Sequence, residues 1–254
     1  MNRTQKNSIT LATSCLQAQL HRPIRKGPII SLPAKLLLLL AAAPAGLATP
    51  TGLNNIPTAD TVPSGTLAIQ AFSSLGGPNQ FAANGPGKHS FWMGFKTGLE
   101  LQRLRIEWGL DSPLAPGNAG PLFGQVKTGI TPWDNGLLTF GVAGIALTDS
   151  KRAGDPFSYG ILSHDFGILR THVGYGLQTR GNSVLLGVDR NIKFWDRDLN
   201  LNADLVQTRN GHGWLPAIGA KYALNKHIVL EAWSNFPDQG TVSFISKINF
   251  VFQF

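Results

Sequence analysis

The chain ends on KINFVFQF, residues 247–254, and the two faces of this stretch differ in polarity. A β-strand places alternate side chains on opposite faces. One face here is apolar and consists of Ile248, Phe250, Phe252 and Phe254. The other is largely polar and consists of Lys247, Asn249, Val251 and Gln253. The stretch therefore predicts a strand that separates an apolar environment from a polar one.

Composition favours many such strands. Charged residues make up only 14% of the 254 residues, well below the quarter that is usual in soluble domains, and glycine is frequent at 29. The mean hydropathy is nevertheless close to zero, which excludes a bundle of membrane-spanning helices. We expect one large all-β domain whose outer surface meets an apolar medium.

The net charge of +8 comes mostly from the first 48 residues, which hold six basic and no acidic side chains. Without them, 16 basic and 14 acidic residues remain, so charge does not indicate nucleic-acid binding. The run LLLLLAAAPAGLA after Lys35 ends in small residues and predicts a cleaved signal peptide over residues 1–48. Cys15 is removed with it, which leaves no cysteine for disulfides, thiol catalysis or thiolate metal sites.

Residues 49–64, TPTGLNNIPTADTVPS, show neither a helical nor a strand period. We expect an extended segment that either stays in the periplasm or folds into the lumen as a plug. Residues 65–254 then form the main domain, with about twelve strand-like runs. Their approximate cores are 66–75, 89–96, 99–110, 120–129, 137–148, 157–164, 168–178, 182–191, 198–207, 213–223, 227–235 and 241–254.

The connections between these runs alternate broadly between long and short, with tight turns expected at Thr97-Gly98 and Phe166-Gly167. Short turns at one end and long loops at the other are typical of antiparallel up-and-down barrels in bacterial outer membranes. Every backbone polar group needs a partner in hydrocarbon, so such a sheet must close on itself. The last strand is therefore predicted to pair with the first, near residues 66–75.

The ending resembles the C-terminal signature of Gram-negative outer-membrane β-barrel proteins, in which alternating hydrophobic residues finish in Phe. The resemblance implies an outer-membrane location, contact with outer-membrane lipid and recognition of the last strand by the barrel-assembly machinery. It assigns that assembly signal to Phe250, Phe252 and Phe254. It identifies a porin-like class and no subfamily.

Period-two alternation predicts a set of charged side chains that line the lumen. They are Arg103, Arg105, Glu107, Lys127, Arg170, His172, Asp189, Asp204, Lys221, Glu231 and Lys247. If these charges pair across the lumen, the barrel is filled and structural. If the basic ones cluster, they line a narrow pore that favours anions. Twelve strands lie between filled eight-stranded barrels and open porins, so size does not decide between the two.

These patterns predict a non-enzymatic barrel without cofactor or metal: a narrow channel for small polar or anionic solutes, or a structural barrel whose outer loops bind a partner. One alternative is a lipid-modifying hydrolase that uses Ser163 and His172, a pair that is diagonal in the predicted register. The other is a soluble secreted β-sandwich or ligand-binding barrel, with the aromatic residues of KINFVFQF turned inward.

Overall fold

The computed structural model describes residues 51–76, 89–115, 118–119, 121–148, 155–179, 181–208, 213–238 and 240–254. They lie within one compact unit, Gly46–Phe254. The predicted signal peptide lies outside the described residues, and so do residues 77–88 of the long loop between the first two predicted strands. No helix in the described ranges is long and apolar enough to cross a membrane.

Thirteen strands account for most of the described residues, and twelve of them run the height of the barrel. The exception is the two-residue β4. The strands are β1 (Thr66–Gly76), β2 (His89–Leu101), β3 (Leu104–Ala115), β4 (Asn118–Ala119), β5 (Phe123–Trp133), β6 (Gly136–Ala146), β7 (Phe157–Asp165), β8 (Arg170–Gln178), β9 (Gly181–Phe194), β10 (Arg197–Thr208), β11 (Gly213–Asn225), β12 (Ile228–Asn235) and β13 (Ser243–Gln253).

The twelve long strands form one closed antiparallel barrel in up-and-down order. Closure is made by β1 and β13, which pair from Thr66 opposite Gln253 to Gly76 opposite Ser243. The predicted pairing of the last strand with the first is confirmed. Because no edge is left open, the backbone groups of the wall find partners within the sheet, as a hydrocarbon environment demands.

The two faces of β13 point as the terminal alternation predicts. Phe244, Phe250 and Phe252 are exposed on the outside, whereas Ile245 and Asn249 are buried on the inside. Large apolar side chains are exposed along most other strands as well, while buried polar and charged side chains face inward. A polar interior inside an apolar outer surface is the arrangement of membrane-spanning barrels, and a single closed sheet excludes a two-sheet sandwich.

One predicted turn is wrong in position and another is wrong in length. β2 runs through Thr97-Gly98 to Leu101, and the turn falls at Gln102 and Arg103, where Gln102 has a φ of 56°. Gly98 remains in the strand, where it pairs with Glu107 of β3, and Ser64 also bridges to it. Arg103 consequently occupies an exposed turn rather than a place in the wall.

The connection between β7 and β8 is also longer than expected. It spans residues 166–169 instead of the two residues Phe166-Gly167, and it is closed by the Phe166 N–H donating to the Leu169 carbonyl at 3.0 Å. The longer turn shifts the register by two residues. Ser163 therefore pairs directly with His172 instead of lying diagonal to it.

Candidate functional site

The interior of the barrel is occupied by the protein's own residues 51–64, here called the lumen segment. Its first half is a hairpin in which Gly52 bridges to Pro57 and the Leu53 N–H donates to the Ile56 carbonyl at 3.0 Å. Asn54 and Asn55 form the tip of this hairpin, a position that suits their tolerance of tight turns. The second half runs extended to Ser64, and Gly65, at a φ of 72°, leads into β1.

One side of the lumen segment is apolar and is packed against an apolar part of the wall. Leu53, Ile56 and Ala59 are 5%, 2% and 0% exposed. They join a buried cluster with side chains of β7, β9, β10 and β11, which are Phe157, Tyr159, Ile161, Leu185, Val206 and Leu215. Full burial of a Leu or Ile side chain contributes roughly 1.5–3 kcal/mol. These contacts anchor the hairpin.

Two carboxylates of the wall accept main-chain N–H groups of the segment. Glu107 on β3 accepts from the N–H of Thr51 and from that of Val62, each at 2.8 Å. Asp204 on β10 accepts from the N–H of Asn54 at 2.8 Å and from that of Asn55 at 2.7 Å. Hydrogen bonds to charged groups are stronger than neutral ones, so both ends of the hairpin are held firmly.

Wall donors bind the main-chain carbonyl groups. The Lys127 ammonium on β5 donates to the carbonyl of Thr51 at 2.7 Å and to that of Thr58 at 3.2 Å. Lys221 on β11 donates to the Gly52 carbonyl. The Thr139 hydroxyl on β6 donates to the Ala59 carbonyl at 2.8 Å. The backbone groups of an extended chain are thus satisfied by side chains inside the barrel.

Side chains of the lumen segment make fewer bonds to the wall. Asp60 accepts from Arg170 at 2.8 Å, and the Asn55 side-chain amide donates to Asn235 at 2.8 Å. Burial alone would raise the pKa of Asp60. The positive charge of Arg170 outweighs that effect and lowers the pKa of Asp60 from 3.8 to about 2. Asp60 is therefore ionised at neutral pH.

Ser163, His172 and Asp189 form a buried hydrogen-bonded row on β7, β8 and β9. The Ser163 hydroxyl is 2.7 Å from His172 Nδ1, and His172 Nε2 is 2.9 Å from Asp189. Ser163 also accepts the Ala59 N–H of the lumen segment at 3.1 Å. With that N–H pointing at its oxygen, the hydroxyl can donate to Nδ1 of a neutral imidazole. Nε2–H then donates to Asp189.

Most residues of the predicted lumen set lie on the inner wall. Glu107, Lys127, His172, Asp189 and Asp204 are buried there, and Arg170 and Lys221 are partly exposed. Glu231 lies 3.7 Å from the Lys247 ammonium and 3.9 Å from that of Lys221.

Two residues of the set lie apart from this interior. Arg105 is near the rim, where it donates to Thr131 at 3.2 Å in an exposed bond. Arg103 is in the exposed turn described above. Both lie at or next to the turn between β2 and β3, outside the buried part of the lumen.

Two buried charged residues of the wall are absent from the predicted lumen set. Lys96 is 6% exposed and Asp111 2% exposed, and Gln70 donates to Asp111 at 2.8 Å. Lys96 follows the same alternation as Trp92 and would have been found by extending that pattern. Asp111 lies just beyond the predicted strand core 99–110, whereas β3 continues to Ala115.

Three wall glycines make room for the lumen segment. A Cβ atom on Gly98 would lie 1.8 Å from the Val62 carbonyl oxygen. One on Gly187 would lie 2.6 Å from Leu53 Cδ1, and one on Gly219 would lie 2.2 Å from Asn54 Oδ1. Close approach of another backbone is a common reason for glycine within a strand.

No group of three or more His, Cys, Asp and Glu side chains in the described ranges is arranged to hold a metal ion. No family model matches the sequence, and a search of curated proteins finds no significant relative.

Solved structures share the fold. A structure titled KdgM porin is 8% identical with a TM-score of 0.53, over 73% of this chain and 99% of that one. NanC porin is 13% identical with a TM-score of 0.47, over 72% and 98%. Outer membrane phospholipase A from Escherichia coli is 11% identical with a TM-score of 0.49, over 74% and 90%. At these identities the KdgM likeness shows the barrel fold alone, and the other two carry no further argument.

Proposed function

We propose that the protein is an outer-membrane barrel that passes small polar solutes and is held closed by its own lumen segment. The observation that carries the proposal is the attachment of residues 51–64 to the wall through hydrogen bonds to Glu107, Asp204, Lys127 and Lys221. One peptide segment, joined to β1 through Gly65, fills a space that water and solutes could otherwise enter. The likeness to the fold of a porin supports the same class.

The proposal includes how the protein reaches its place. Residues 1–48 serve as a cleaved signal peptide, and the barrel-assembly machinery reads Phe250, Phe252 and Phe254 on the last strand. The outward aromatic residues of that strand then contact outer-membrane lipid, as their exposure supports. Neither a cofactor nor nucleic acid has a role in this scheme.

The charges of the inner wall argue for polar solutes without a strong preference for either sign. Five cationic side chains lie there, namely Lys96, Lys127, Arg170, Lys221 and Lys247. Five carboxylates balance them, namely Glu107, Asp111, Asp189, Asp204 and Glu231. With His172 neutral, the net charge of this set is zero. This lumen should therefore discriminate less between anions and cations than a pore lined by charges of a single sign.

A disulfide across the lumen tests the proposal. Thr61 Cγ2 is 3.6 Å from the position that a Cβ would take on Gly129, so cysteine side chains at these two positions would face each other across a short gap. Thr61→Cys combined with Gly129→Cys, in a Cys15→Ser background, should lock the segment to β5 when oxidised. We expect planar bilayers to show openings with the reduced protein and none with the oxidised protein.

The single variants Thr61→Cys and Gly129→Cys are the controls. Their openings should be the same in reducing and in oxidising conditions. Folded protein that carries no current even when reduced would instead leave a closed structural barrel whose outer loops bind a partner.

A second candidate function rests on the row Ser163, His172 and Asp189, whose order and spacing match the nucleophile, base and orienting carboxylate of acyl hydrolases. Against it stands the Ala59 N–H, which occupies the Ser163 oxygen. In the favoured function this row, here called the polar latch, helps to hold the lumen segment by accepting the Ala59 N–H.

A further inference from the structure

We infer that the lumen is a binding site for polypeptide main chain, and that the ligand able to replace the lumen segment is a short peptide. The inference deepens the proposed function, since it names the class of solute that the barrel accepts. It rests on what the wall recognises in the segment that already fills it.

The wall binds mainly the main chain of the segment. Among the described residues, five main-chain N–H groups, those of Thr51, Asn54, Asn55, Ala59 and Val62, donate to Glu107, Asp204 or Ser163. Four main-chain carbonyls, those of Thr51, Gly52, Thr58 and Ala59, accept from Lys127, Lys221 or Thr139. Any peptide of similar shape presents the same groups. Main-chain bonds of this kind supply affinity in known modes of peptide recognition.

The mixture of wall charges selects peptides over simple ions. A small anion could pair with Lys127 and Lys221, but it would leave Glu107 and Asp204 without the N–H groups that they now accept. A small cation would leave the two lysines without the carbonyl groups that they now bind, with only the more distant carboxylates of Glu107 and Glu231, at 3.8 and 3.9 Å, as partners. A buried charged group that loses hydrogen bonds is destabilised. A peptide bond presents a donor and an acceptor together and can satisfy both sets.

The apolar part of the wall adds side-chain selectivity. Leu53 and Ile56, three residues apart, enter the cluster that contains Ile161, Leu185 and Leu215. Gly187 lies under both side chains. A Cβ atom at this position would come within 2.6 Å of Leu53 Cδ1 and 2.7 Å of Ile56 Cδ1, so only glycine fits. We therefore expect peptides with aliphatic side chains at positions i and i+3 to bind best.

Exposure of the displaced segment provides the test. The full chain with Cys15→Ser and Thr61→Cys carries one thiol, in the second half of the segment. Its rate of reaction with a bulky maleimide is measured with no addition and with excess peptide TGLNNIPTAD, which copies residues 51–60. The same peptide with Ser in place of its Leu and Ile, citrate and a neutral disaccharide are the comparison ligands.

We expect the copied peptide to raise the labelling rate at least fivefold in a saturable way, with the Ser-substituted peptide less effective. Citrate and the disaccharide should leave the rate unchanged. An equal rise with citrate would assign the site to anions, an equal rise with the disaccharide would assign it to sugars, and no rise with the peptide would mean that the segment cannot be replaced. Each of these three outcomes overturns the inference.

A direct binding measurement compares a variant that has lost a wall contact to the segment with one that keeps every such contact. Binding of fluorescently labelled TGLNNIPTAD to full-length protein is followed by anisotropy in Glu107→Gln and in Arg105→Ala, the latter a matched control at the exposed rim. Affinity should fall about tenfold or more in Glu107→Gln and stay unchanged in Arg105→Ala. Neither assay needs ion flow. A barrel that binds the peptide but carries no current would therefore refute the channel and keep the peptide site.

Discussion

Arg170 on β8 joins Asp60 in the lumen segment to Asp189 on β9. Its Nη1 lies 2.8 Å from Asp60 Oδ1, while Nε and Nη2 bind the two oxygens of Asp189 at 2.9 and 3.0 Å. A guanidinium with its plane fixed by two bonds to one carboxylate is well placed to hold a second. The ion pair of Arg170 and Asp60 thus adds a charged contact between the wall and the lumen segment, beside the polar latch.

Acid should act on this pair only at very low pH. The pKa of Asp60 falls from 3.8 to about 2 in the folded protein. Its contribution to docking is therefore fully present above about pH 4 and is lost as the pH falls through 2. The mobility of a spin label at Thr61→Cys, compared with and without Asp60→Asn, should show a constant difference from pH 8 to pH 5. A difference that disappears near pH 6 would contradict the assignment.

Removal of the apolar anchor should release the hairpin without unfolding the barrel. Ile56→Ala deletes a side chain that is 2% exposed, and such truncations cost about 2–5 kcal/mol. We expect faster maleimide labelling of a thiol at position 61 and an unchanged shift in gel mobility on heating. Ile218→Ala is the control, because Ile218 is 64% exposed on the outer wall. Equal effects of the two changes would count against the anchor.

A methyl group on Gly98 should push the segment from the wall. In Gly98→Ala the new Cβ would meet the Val62 carbonyl oxygen at 1.8 Å, and that oxygen belongs to the backbone and cannot rotate away. Bilayer recordings should show more frequent openings than with the unchanged protein. Gly124→Ala is the matched control, since a Cβ there comes no closer than 3.4 Å to its nearest neighbour, Leu147. Unchanged openings in Gly98→Ala would show that the segment can adapt.

The row Ser163, His172 and Asp189 should behave as a latch rather than as a catalyst. We expect no hydrolysis of phospholipid or of p-nitrophenyl esters by the purified barrel, and no labelling by a fluorophosphonate. Ser163→Ala removes the acceptor of the Ala59 N–H and should loosen the segment by about 1 kcal/mol, measured as faster thiol labelling at position 61. Fluorophosphonate labelling that disappears in Ser163→Ala or His172→Ala would establish the hydrolase instead.

The last residue should matter for assembly more than for stability. Phe254 is 66% exposed, although its N–H donates to Gly65 at 3.0 Å and completes the closure. Phe254→Ala keeps that backbone bond and removes the ring. We expect several-fold less heat-modifiable barrel in outer membranes but an unchanged midpoint of thermal unfolding in the protein that assembles. Phe244→Ala, on the same face at the far end of β13, is the control and should assemble normally.

Local patterns predicted the wall of this barrel. Alternation along each run decided which side chains of β13 face outward, because the side-chain period of a strand is two whatever the strand pairs with. Closure by β1 and β13 followed from the requirement that a membrane sheet have no open edge. Inward positions such as Glu107 and Lys127 followed from the same alternation. It failed at Arg103 because the turn lies at Gln102 and Arg103, so this residue is not part of a strand.

The contents of the lumen were decided only by the tertiary structure. Residues 51–64 have no period, so the sequence left a periplasmic tail and a plug equally open. The bonds from Asp204 to Asn54 and Asn55 join residues about 150 apart in sequence, and no local rule relates them. Gly98, Gly187 and Gly219 look like any strand glycine until the segment is seen against them. Strand periodicity is a short-range property of the backbone. The partner of an inward charge depends instead on which part of the chain, distant in sequence, fills the space next to it.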